Sequence, residues 1–132
     1  MSVTITHFLR NVLRADALIS GAAGLLMAAG APYLAPFLGL PSALLFWAGV
    51  ALFPFVALLV AISARSEVSR LMLIDIIGIN ALWVAASFGV LLSGAVAPNL
   101  LGYAFIIAQA LTVALLAELQ FVGFRRSAAA GA

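Results

Sequence analysis

The six basic residues of this chain occupy three short places: Arg10 and Arg14, Arg65 and Arg70, and Arg125 and Arg126. Two long apolar stretches lie between them, each interrupted once by an uncharged segment rich in Pro or Gly. Arginine and lysine stay on the cytoplasmic side of a bilayer, so this alternation predicts an even number of crossings with every basic end on one side. Few other folds are open to such a chain. It is 132 residues long, 67% hydrophobic and 8% charged, with a mean hydropathy of +1.30. Ten charged residues cannot clothe a water-soluble domain of that size, whereas lipid solvates apolar side chains directly.

A crossing takes about 20 mostly apolar residues. Four windows satisfy this, at 6–30, 42–64, 67–93 and 98–124, within one transmembrane domain spanning 1–132. Pro32, Pro36, Gly39 and Pro41 predict an irregular first connection. Gly94 to Ala97 predicts a second one, with Pro98 in the first turn of the last helix. Pro54 should kink the second helix. Ser66 is the expected N-cap of the third, with Glu67 at its positive end. Arg125, Arg126 and a tail of small residues close the chain. The expected fold is an all-α integral membrane protein, a four-transmembrane-helix antiparallel bundle with both termini in the cytoplasm. Tyr33, Trp47 and Tyr103 then fall near the opposite interface, where amphipathic rings are favoured. The first window is read as a retained crossing and not a cleaved leader, because Asp16 interrupts it and it exceeds the usual ~7–15 apolar residues. The Ala/Leu/Gly/Arg bias without Lys resembles that of GC-rich bacterial genomes, which points to a bacterial inner membrane.

Several chemistries are excluded by what the chain lacks. With no Cys, thiol nucleophiles, disulfides and thiolate metal sites are impossible. With no Lys, Schiff-base chemistry is also out. The single His7 cannot supply a paired axial haem site, and no HExxH, GxSxG or phosphate-loop motif occurs. No catalytic residue, cofactor or metal is expected. A net charge of +2 without a broad basic face argues against nucleic acid as a partner, and the arginines are expected to meet lipid headgroups.

The polar residues inside the apolar windows are the remaining candidates. Asp16, Asp75 and Glu118 have no basic neighbour three or four residues away on their own helices. They are therefore expected to form an intramembrane polar cluster with arginines of other helices or helix ends, Arg14 and Arg70 foremost. Asn80 and Gln109 lie deeper. With Trp83 and Ser87 they are expected to make interhelical hydrogen bonds or line a small pocket. Rows of small residues, Ala17, Gly21, Gly24 and Ala28 in the first helix and Ala81, Ala85, Gly89 and Ser93 in the third, would let backbones approach closely. Helices 1 and 3 are thus the expected buried pair, and the bulkier helix 2 the most lipid-exposed. Abundant packing faces and scarce reactive groups suggest a protein that acts by association, as an accessory subunit or homo-oligomer in a larger membrane complex. The alternative is a small transporter or a protein binding a lipophilic ligand through its intramembrane acids and amides.

Overall fold

The computed structural model describes residues 2–130. Gly131 and Ala132 of the expected tail lie outside the described residues. Four helices carry the chain: α1 (His7–Leu38), α2 (Ser42–Ser63), α3 (Arg70–Ser93) and α4 (Leu100–Ala130). All four are long and apolar enough to cross a membrane, the mark of a multi-pass membrane protein.

Two short strands, outside the all-helical expectation, accompany the helices. β1 (Ser2–Thr4) pairs antiparallel with β2 (Glu67–Ser69), with Val3 opposite Val68. Alternation explains the ribbon: Val3, Ile5 and Val68 turn inward onto Leu9, Leu13, Ile62 and Leu73, while Ser2, Thr4, Glu67 and Ser69 face out. Glu67 is therefore in a strand, and the α3 cap moves from Ser66 to Ser69, whose hydroxyl accepts from the Met72 N–H at 3.1 Å.

The helix ends also differ from the sequence-based windows. α1 runs through Pro32 and Pro36 and stops only at Leu38. Each proline forfeits one backbone bond, but neither is forced to break the helix where adjoining turns hold it. The stop is made by Gly39, at φ 70°, whose C-cap conformation suits glycine and lets the Leu40 N–H reach the Ala35 carbonyl at 3.1 Å. Pro98 precedes α4, and Asn99 caps it, its Oδ1 accepting from the Gly102 N–H at 2.9 Å. Asn99 also ties α4 to the end of α1: its Nδ2 donates to the Phe37 carbonyl at 2.9 Å and its backbone N–H to that of Leu38 at 3.1 Å.

Packing reverses the expected ranking of helices. α1 and α2 form the closest pair, α4 packs on both α1 and α3, and α2 and α3 barely touch. The small residues of α1 serve α2: a Cβ on Gly49 would stand 2.7 Å from the Gly24 carbonyl oxygen and 2.6 Å from the Ala28 nitrogen. Helix α2 thus has seven buried residues, and α3 only Leu73, Ile76 and Asn80. The α3 row Ala81, Ala85, Gly89 and Ser93 is exposed.

The three arginine pairs gather at one end of the molecule. Arg10 donates from Nε to the Ser63 carbonyl at 2.9 Å and from an Nη to the Arg65 carbonyl at 2.8 Å. Arg70 stacks over Phe124 and Arg126 over Phe8. The ribbon, the start of α1 and the end of α4 therefore make a single basic end, opposite the uncharged α1–α2 and α3–α4 connections.

Candidate functional site

A helix can bury a polar side chain in an apolar interior only if that side chain finds partners, and a carboxylate needs several. Asp16 finds three. It is 0% exposed, as is Gln120 of α4, and Asn80 of α3 is 3% exposed. The Ser20 hydroxyl, one turn along α1, donates to Asp16 Oδ1 at 2.8 Å. Asn80 Nδ2 and Gln120 Nε2 both donate to Asp16 Oδ2, at 2.8 and 2.6 Å. Asn80 Nδ2 also donates to Gln120 Oε1 at 2.9 Å, so the two amides brace each other. Both Asp16 oxygens act as acceptors, Oδ1 from Ser20 and Oδ2 from the two amides. Three helices are thereby joined around one acid whose partners are all neutral.

A second polar group lies further from the basic end. Trp83 Nε1 donates to Gln109 Oε1 at 2.7 Å. Gln109 Nε2 donates to Ser87 Oγ at 2.9 Å and to the Ile106 carbonyl at 3.0 Å, and Ser87 donates to the Trp83 carbonyl at 2.7 Å. This group holds α3 to α4 and fixes the indole plane.

The α1–α2 pair meets the α3–α4 pair mainly through α1 and α4, and the interior between the pairs is incompletely filled. A cleft of about 310 Å³, partly open to the outside, has Ser20 and Asn80 at one end and Gln109 and Thr112 beyond, on walls that include Phe55, Trp83 and Phe105. A second cavity of about 160 Å³ continues toward the uncharged end. Met27, Trp83, Phe105 and Gln109 line both and form the partition between them.

The sequence-predicted residues are distributed unevenly over this arrangement. Asp16 is at the centre of the first group. Asp75, Glu118, Arg14 and Arg70 are exposed and do not join it. Asn80, Trp83, Ser87 and Gln109 all make side-chain hydrogen bonds, but in two separate groups: Asn80 turns to Asp16, and the other three turn to one another. The residue that sequence reasoning missed is Gln120. It lies five residues before Arg125, and Asp16 lies six after Arg10. At ~1.5 Å rise per residue both are thus about 8–9 Å in from the basic end. Matching depth between a buried acid and a buried amide was the available signal. Among the described residues no group of three or more metal-ligating side chains occurs.

No protein-family model matches the chain, and neither the curated proteins nor the solved structures include a match.

Proposed function

We propose that this is a small four-crossing protein of a bacterial inner membrane, an antiparallel bundle with both termini cytoplasmic, that binds a lipophilic small molecule in the cleft between its two helix pairs. The arginines support the orientation, since all six share one end of the molecule. The observation that carries the binding reading is the cleft of about 310 Å³, apolar for most of its wall and polar at Ser20, Asn80, Gln109 and Thr112. Ligand sites in membrane and soluble proteins alike combine an apolar hollow with a few fixed polar groups. The cleft is partly open to the outside, which gives a lipophile a way in from the surrounding lipid.

The test is extraction and mass spectrometry of the protein purified from membranes. Wild type should carry a lipophile at near-stoichiometric amount, and Ala23→Phe, which fills the cleft, should lose it. A wild type that carries no more than the Ala23→Phe variant refutes the reading. A C-terminal reporter active only outside the cytoplasm refutes the orientation.

One observation favours association as a second role. The small-residue row of α3 is exposed, and a Cβ on Gly78 or Gly89 would meet nothing within 4 Å. Such a face suits close packing against another transmembrane helix, in a homo-oligomer or as an accessory subunit. Crosslinking from Gly89→Cys in native membranes would reveal it as a discrete dimer or heteromeric band; an unlinked monomer alone would count against it.

A further inference from the structure

We infer that the occupant of the cleft is an amphiphilic organic cation, a protonated lipophilic amine, held with its ammonium at the Ser20–Asn80 end. The inference rests on the cleft reading and adds the charge of the ligand to it. Its basis is a buried acid that has no basic partner among its contacts. Asp16 is wholly buried, its three side-chain partners are neutral, and two of them, Ser20 and Asn80, form the end wall of the cleft. The acid therefore lies one hydrogen-bond length behind a wall that a ligand can touch. Low surrounding polarity strengthens attraction at that range. The other acids cannot substitute for Asp16, because Asp75 and Glu118 are exposed. Nor do the arginines offset it from among its partners: Arg10 is engaged with the Ser63 and Arg65 carbonyls, and Arg14 and Arg70 are exposed.

Hydrogen bonding points the same way. Asn80 makes both of its bonds through Nδ2, so Oδ1 is the atom it offers to a ligand, and an oxygen accepts from a donor. The Ser20 hydroxyl gives its proton to Asp16 and offers lone pairs. An end wall built from acceptors backed by a carboxylate suits an N–H-bearing cation and repels an anion. The aromatic faces of Phe55, Trp83 and Phe105 add a surface on which a cation and its apolar chain are both favoured.

Binding can be read from Trp83 itself. The chain has two tryptophans, and the other, Trp47, is 65% exposed, so Trp47→Phe leaves one reporter in the cleft wall. In phosphatidylcholine nanodiscs, three probes of equal chain length should separate by charge: octylammonium, octanol and octyl sulfate. Octylammonium should bind about tenfold tighter than octanol, a difference of about 1.4 kcal/mol, and octyl sulfate should not compete. Asp16→Asn preserves the shape and can keep two acceptor bonds while its new amide faces the Ser20 oxygen. It should remove the tenfold preference while octanol still binds, which shows the cleft to be present. Octanol binding as tightly as octylammonium in wild type, or a preference that survives Asp16→Asn, overturns the inference while the cleft reading stands. If none of the probes binds and Ala23→Phe alters nothing, both fall.

Discussion

The α1–α2 pair and the α3–α4 pair are built from similarly apolar helices but are held together differently. The first is joined backbone to backbone, with Gly24 and Gly49 so close that no side chain fits between them. The second is joined by side-chain hydrogen bonds through Gln109, and most of α3 remains exposed. In lipid there is no hydrophobic drive to bring apolar helices together, so close van der Waals fit and interhelical hydrogen bonds must do it. One pair relies mainly on the first means and the other on the second. The space left over between the pairs is the cleft.

Substitutions can break this contrast. The largest effect is expected where a side chain would enter the backbone contacts. A Cβ at Gly102 would collide with the Leu38 carbonyl oxygen, and at Gly49 with the backbone of Gly24 and Ala28. Gly49→Leu should cost about 3 kcal/mol or more by forcing α1 from α2, measured by equilibrium unfolding in mixed micelles. If Gly89→Leu on α3 costs as much in dilute micelles, the two pairs are not held differently.

Next comes Asp16→Leu, which strands the Asn80 and Gln120 amides. A buried donor left without its acceptor costs about 1–3 kcal/mol, and the same unfolding assay should show a loss in that range, with Asp16→Asn losing less. Equal losses for the two variants would mean that the amides do not depend on the acid.

Gln109→Leu removes the bonds to Trp83 and Ser87 and should cost about 1 kcal/mol, the usual scale for such bonds in membranes. It should also shift Trp83 emission in the Trp47→Phe background, since the indole N–H loses its acceptor. An unchanged spectrum would show that Gln109 does not fix the ring.

The smallest effects are expected at the exposed acids. Asp75→Asn and Glu118→Gln should stay within ~0.5 kcal/mol of wild type. A large loss at either would place that acid in a contact made only in the membrane or with a partner, and would strengthen the association reading.

Particular residues show how far a linear reading reaches. Asp16 and Asn80 stand out because a polar group amid apolar residues demands a partner wherever the chain folds. Gln120 does not stand out, because it lies close to Arg125 and Arg126 and reads as part of a polar helix end. Gly49 is a lone glycine in a bulky helix, yet it sits directly against the α1 backbone, while the conspicuous α3 row is exposed. The Val3–Val68 ribbon escapes notice because three-residue strands carry too short a pattern.

By itself the sequence determines the number of long apolar helices and the gathering of arginines between them, since hydropathy and charge act residue by residue and need no neighbours. Only the tertiary structure decides which face of each helix turns inward and which acid is buried. Lipid-facing and protein-facing surfaces are both apolar here, so the periodic contrast that marks a buried face in water is missing. Rotation and partner choice then rest on close fit and on a few hydrogen bonds between residues as distant as Asp16 and Gln120.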